Sequence, residues 1–212
     1  MKISELKVIL ICPDHTEYYN NRKVKTQDLL ERLGCKEIIH YKSDTANYPT
    51  CLRKANIDIL QTYIDEPILI VEDDLGYTGI DSFNYEEDAD AYYLGYSKFG
   101  GHPTENTHIE KSQFVPHSDT MVRVINTLTA HAILYISRKY KEAVINILSQ
   151  DLDRLLHQDI LMTRILNNFK ILAPKKPIFF QSSRFHAPED CTNFTILDDM
   201  SWGPPQKEVV FD

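Results

Sequence analysis

Pro67-Ile68-Leu69-Ile70-Val71-Glu72-Asp73-Asp74 decides how this chain is read. The apolar part is short, aliphatic and largely β-branched, which is the pattern of a strand buried on both faces. Three acids follow it without a spacer. Side chains alternate along a strand, so the spacing predicts Glu72 and Asp74 on one side and Asp73 on the other. In open α/β sheets ligands bind in the crevice beyond the carboxyl ends of the strands. Adjacent carboxylates at that edge repel one another unless a cation neutralises them, and an all-oxygen donor set suits Mg²⁺ or Mn²⁺. The same spacing also fits a solvated acidic turn.

Upstream, Leu6 to Cys12 (LKVILIC) reads as a first buried strand, ended by Pro13 and Asp14. Residues 18 to 33 read as a helix with Val24, Leu29, Leu30 and Leu33 inward and Gly34 just past its end. Lys36 to Tyr41 reads as a second strand. Cys51 to Ile64 reads as a helix with Leu52, Ile57, Leu60 and Ile64 on its apolar side. With Pro67 to Val71 this makes a βαβαβ opening and an α/β fold built on a mostly parallel sheet.

Downstream, Asp90 to Tyr96 and Thr129 to Ile136 read as strands, and Ser97 to Asp119 as one long polar loop of functional character. Ser137 is placed to cap a helix ending near Leu148. A further helix is expected over Leu155 to Asn168, with short strands near Ile171 and at Ile178 to Phe180. The tail from Trp202, with Pro204 and Pro205, reads as a wrapped or frayed terminus, or as a stub leading to another domain.

The chain has 212 residues, with 23 Lys+Arg against 31 Asp+Glu and a net charge of −8. That balance argues against a nucleic-acid polymer as partner, because such binding runs on basic patches. Hydrophobic residues make up 42%, the ordinary share for a globular domain that needs neither disulfides nor structural metal. Its four cysteines are scattered without a CxxC, which points to a thiol-reducing compartment. No apolar run spans a bilayer and no signal core opens the chain, so a cytoplasmic protein is expected, a host cytoplasm included if the gene is viral. Glycines number only seven, and neither GxGxxG nor GxxxxGK[ST] occurs. A phosphate ligand must therefore be held by something other than a glycine-rich cradle.

The strand ending in Glu72-Asp73-Asp74 resembles the DxD-type motif of GT-A glycosyltransferases, and in particular the LEDD motif of glycosyltransferase family 25. Ala89-Asp90-Ala91-Tyr92-Tyr93-Leu94-Gly95 is similar to that family's D-x-x-Y-L-G strand. Ala130 to Arg138 (AHAILYISR) is similar to its G-T-H-A-Y-I-I-S-R segment. Gln158-Asp159 followed by Pro177 to Ser182 is similar to its closing D…P…Q-S pattern. The likeness spans about Leu6 to Ser183, and compact viral GT-A enzymes resemble the chain in size. Two departures stand out. The first strand ends Ile-Cys-Pro-Asp where the family has N-L-x-R, leaving Arg22 as the counterpart of its arginine, and Ala55-Asn56 replaces a Ser-His pair.

The resemblance implies one Rossmann-like GT-A domain over residues 1–200, with a nucleotide-binding half of about 1–97, an acceptor half of about 98–200, and a tail over 201–212. It implies a metal-dependent glycosyltransferase moving a sugar from a UDP-sugar to a glycan or glycoprotein, with Mn²⁺ or Mg²⁺ as cofactor. Asp74 is assigned to direct metal contact, Glu72 to the ribose or the metal, and Asp73 to the donor sugar or the metal. His186 would complete the metal site or is an ordinary surface or core histidine, and Arg184 would offset diphosphate charge or is a surface arginine. Asp44 stands where such enzymes read the uracil ring, or closes an Asx turn. Asp159 is the general base or a donor-sugar ligand, with His157 as its competitor, or a first-turn helix residue. Tyr92, Tyr93 and Tyr96 stack on sugars or pack in the core. His102, His108 and His117 lack tight ligand spacing and read as an acceptor-side loop. Two rival functions use or discard the same acids: metal-dependent phosphoryl or nucleotidyl transfer, and a non-catalytic interaction domain.

Overall fold

In the computed structural model, which describes residues 1–109 and 111–181, the βαβαβ opening is present as read. β1 (Lys7–Cys12), β2 (Glu37–Lys42) and β3 (Ile68–Glu72) pair in parallel with β1 in the middle. The connecting helices are α1 (Glu17–Arg32) and α2 (Thr50–Thr62). Thr16 caps α1 by accepting the Tyr19 N–H, and Gly34 takes a left-handed φ of 82° just beyond its end, a conformation that favours glycine. Val24 is a correction. It is 54% exposed, because it lies about 200° around the helix from Thr26, which is buried with Leu29 and Leu30. On α2 the buried face runs through Ala55, Asn56, Ile59 and Leu60, and Leu52, Ile57 and Ile64 sit at its margins.

The chain continues through β4 (Leu75–Tyr77), β5 (Ala91–Tyr93), β6 (Gly100–Gly101), β7 (His108–Ile109), β8 (Gln113–Pro116), β9 (Met121–Asn126) and β10 (Ala132–Tyr135). It then forms α3 (Arg138–Leu148), α4 (Gln158–Leu166), β11 (Ile171–Pro174) and β12 (Phe179–Gln181). Eight strands make one sheet in the order β2-β1-β3-β10-β5-β11-β9-β8. Strands β2, β1, β3, β5, β11 and β8 run one way, and β10 and β9 run against them. The α/β class and the mostly parallel orientation hold.

Alternation along the central strands sorts the core into two layers. Ile9, Ile11, Ile68, Ile70 and Ile133 face α2, α3 and α4 on one side. Val8, Leu10, Leu69, Val71 and Leu134 face Leu29 and Leu30 of α1 on the other. The long loop expected over Ser97 to Asp119 is partly ordered: β6 pairs with β7, and β8 extends the main sheet. Gly100-Gly101 carries no side-chain period to read. The Asn126 side chain holds it instead, accepting from the Gly101 N–H and donating to its carbonyl. The expected strand at Thr129 to Ile136 shortens to β10, and no strand was read at β9. Ser137 caps α3 as expected, accepting the Tyr140 N–H. No helix among the described residues is long and apolar enough to cross a membrane.

Candidate functional site

β1 and β3 end side by side, and β3 delivers Glu72 to the edge of the sheet. The chain then turns at Asp73 and Asp74 and returns as β4, which pairs with β12. That turn breaks the strand alternation. All three acids reach the same cavity of about 370 Å³, whereas the spacing predicted Asp73 on the opposite side. Arg22, from the second turn of α1, lies between them: its Nη2 is 2.6 Å from Asp73 Oδ1 and 3.4 Å from Asp74 Oδ2. Asp73 is fixed further by the Cys12 thiol, which donates to Oδ2 at 2.8 Å, and by the Thr26 hydroxyl, which donates to its carbonyl.

A second cavity of about 220 Å³ adjoins the first. Tyr48, Leu52, Glu72 and Gln181 line both. Asp159 is in the second one, at the start of α4, with His157, Thr129 and Ser97. Its Oδ2 accepts the Thr129 N–H at 3.3 Å and its Oδ1 accepts the Ile160 N–H, so it is a first-turn residue that also faces a cavity. Glu72 joins the two cavities through one relay. Gln158 Nε2 donates to Glu72 Oε1 at 3.2 Å, and Asn56 Nδ2 fixes Gln158 from behind at 2.8 Å.

The electrostatics follow from this crowding. Glu72 is held well above the ordinary carboxylate range, first by burial and then by repulsion from Asp74, Asp73 and Asp159. Burial raises Asp73 too, against the opposing pull of Arg22 and the Cys12 hydrogen bond. The Cys12 thiol is pushed up by burial and by Asp73, so it is a protonated donor and not a nucleophile. Behind the acids, His131 is fully buried and has no side-chain hydrogen-bond partner among the described residues. Burial lowers it to about 4, opposed mainly by Asp74. Its ring fills the space over Gly95, where a Cβ would lie 1.9 Å from Nε2.

Among the other expected residues, Asp44 lines the first cavity and also closes the Asx turn, accepting the Ala46 N–H at 2.9 Å. Tyr92, Tyr93 and Tyr96 are buried in the core and present no face to a sugar; the Tyr96 hydroxyl donates to the Pro174 carbonyl. His117 pairs with Glu86, and His102 closes a turn by accepting the Glu105 N–H. His186, Arg184 and the tail lie outside the described residues. Tyr48, Gln158 and Gln181 carry no role in the sequence reading. Gln158 and Gln181 lie within the quoted motif segments, while Tyr48 shows only as an aromatic beside a proline.

A divalent cation fits these residues in donor chemistry. No group of three or more His, Cys, Asp or Glu side chains able to hold a metal ion is present among the described residues. Two carboxylates completed by ligand phosphates are nevertheless an ordinary way to hold Mg²⁺.

No protein-family model matches the chain, and no curated protein matches it. Among the solved structures that match it are two enzymes at low identity. One is the CTP:phosphocholine cytidylyltransferase of Streptococcus pneumoniae, at 9% identity and TM-score 0.44, covering 87% of this chain and 96% of that one. The other is a UTP-bound UGPase of Acinetobacter baumannii, at 9% identity and TM-score 0.45, covering 86% and 75%. Likenesses this distant fix neither family nor chemistry, and the architecture stands on the strand order itself.

Proposed function

We propose that the chain is a metal-dependent transferase that binds a nucleotide in the first cavity and the transferred group or its acceptor in the second. In this reading residues 1–97 supply the nucleotide half and 98–200 the acceptor half. Asp74 and Glu72 would hold the cation, which, when bound, offsets the charge growing on a phosphate leaving group. Arg22 is placed to neutralise phosphate oxygens. Gln158 fixes the Glu72 carboxyl, and Asp159, with His157 beside it, is placed to accept a proton from an attacking hydroxyl.

Sugar transfer from a UDP-sugar is the preferred reaction. The observation that carries it is the charge of the second cavity. Glu72 and Asp159 line it, and no Lys or Arg does among the described residues. An uncharged glycosyl group suits such a lining, whereas a phosphorylated co-substrate would meet two acids and no Lys or Arg among the described residues. Nucleotidyl transfer is the second reading, the reaction for which the Streptococcus pneumoniae cytidylyltransferase is named. Within this chain it is favoured by Arg22 in the first cavity, which would serve a triphosphate equally well.

Calorimetric titration with UDP, CMP and GDP, with and without Mn²⁺, tests the common core: UDP is expected to bind about tenfold more tightly with metal than without it. Sugar release from UDP-glucose and related donors supports the first reaction. Pyrophosphate release from UTP or CTP in the presence of a phosphorylated alcohol would establish the second instead.

A further inference from the structure

Arg22 is the one Lys or Arg lining either cavity among the described residues. Its side chain is 12% exposed, and a single nitrogen serves both Asp73 and Asp74. Nη1 donates to the Tyr18 hydroxyl at 3.2 Å, and Nε is buried without a hydrogen-bond partner among the described residues. This is an incomplete use of a guanidinium. Its strong geometry is the two-pronged fork on one carboxylate or phosphate, and here the fork is engaged by neither acid. Asp74 lies at the longer distance from Arg22, and its Oδ2 also accepts from Gln181 Nε2 at 3.4 Å.

A divalent cation arriving on Asp74 would stand close to this guanidinium, and the two charges repel. Phosphate oxygens entering beside them offer Arg22 a two-pronged acceptor and remove that conflict. We propose that Arg22 is a resident counter-cation: it keeps a divalent metal off Asp73 and Asp74 in the free chain and releases them when a phosphate ligand draws it away. Metal and nucleotide then bind as a coupled pair and neither binds well alone. The inference rests on the metal–nucleotide reading above, but its metal half is tested without any nucleotide.

The experiment is calorimetric titration of the whole chain with Mn²⁺ alone, with UDP alone and with both, in wild type, Arg22→Gln and Arg22→Lys, each checked for folding by circular dichroism. In wild type, saturating UDP is expected to tighten Mn²⁺ binding about tenfold, and Mn²⁺ to tighten UDP binding by the same factor, because coupling is reciprocal. Arg22→Gln is expected to bind Mn²⁺ alone about tenfold more tightly than wild type and to lose most of that coupling. Arg22→Lys, whose shorter ammonium cannot span both acids, is expected to gain about threefold and serves if the glutamine variant does not fold. Unchanged or weaker Mn²⁺ binding in the folded variants overturns the proposal, as does wild-type Mn²⁺ binding that stays indifferent to UDP although UDP binds. Failure of UDP to bind wild type with any metal, alongside a gain of Mn²⁺ affinity in Arg22→Gln, sinks the nucleotide reading and supports the counter-cation role.

Discussion

Arg53 and Arg22, two of the inward-lying arginines among the described residues, differ in their partners. Arg53, on α2, is fully buried and donates to the carbonyls of Leu148, Gln150, Asp151 and Arg154, closing the end of α3 and the turn after it. Arg22 donates to carboxylates in an open cavity and leaves one donor unused. Carbonyl oxygens at a helix end have no other duty and gain from any buried donor. Carboxylates gathered around a cavity repel one another and gain from any cation, including one the chain does not supply. A buried cation is thus structural or functional according to what it pairs with, and burial alone does not separate the cases.

The largest effect should come from the structural side. Arg53→Met is expected to cost about 4 kcal/mol in urea unfolding, because several buried carbonyls lose their donor. A loss below about 1 kcal/mol would mean that the closure after α3 contributes little, and the contrast with Arg22 would fail.

His131 sharpens the comparison as a buried titratable group that burial holds neutral. Its folded value is depressed to about 4 from 6.5, so between those values the unfolded chain binds more protons and stability falls as pH falls. The full loss is about 3 kcal/mol at the acid end. Unfolding measured from pH 4 to 7 with chelator present should show a shallower slope in His131→Asn than in wild type; equal slopes would refute the buried neutral ring.

On the functional side, Asp74→Asn is expected to weaken UDP binding in Mn²⁺ about tenfold, or about 1.4 kcal/mol, by calorimetry. Retained affinity would move the metal to other residues. The smallest effect has the opposite sign. Glu72 is raised in the folded chain, so its ionisation opposes folding, and stability from this group declines as pH rises through its folded value. Glu72→Gln should therefore be more stable at pH 7 by about 1 kcal/mol while binding Mn²⁺ less well. A destabilised Glu72→Gln would show that the acids are already balanced.

Much of this was legible in the sequence, for identifiable reasons. Val8 to Ile11 and Ile68 to Val71 are dense aliphatic runs between turn residues, and such runs become central strands wherever helices cover both faces. Ser137 announced α3 because a capping hydroxyl is a local device. The acids after β3 could be placed at the carboxyl edge, but their common cavity could not, because the turn at Asp73-Asp74 cancels the alternation. Gln158 was hidden for a different reason: its partners Asn56 and Glu72 lie 102 and 86 residues away. Gly100-Gly101 formed a strand through Asn126, a contact no local pattern records. Local chemistry reads directly; chemistry assembled across the sheet reads only once the strand order is known.

The acid-lined cavities have a kinetic meaning as well as an energetic one. A net charge of −8, with Arg22 as the one Lys or Arg lining the cavities among the described residues, makes for a field that turns free anions aside. A nucleotide already carrying its metal has shed much of its charge and meets less of that field. Added salt should therefore speed the encounter with bare nucleotide, the reverse of what a basic phosphate-binding cleft shows, and should alter the encounter with the metal-bound form far less. Arrival would be selective before any contact is made.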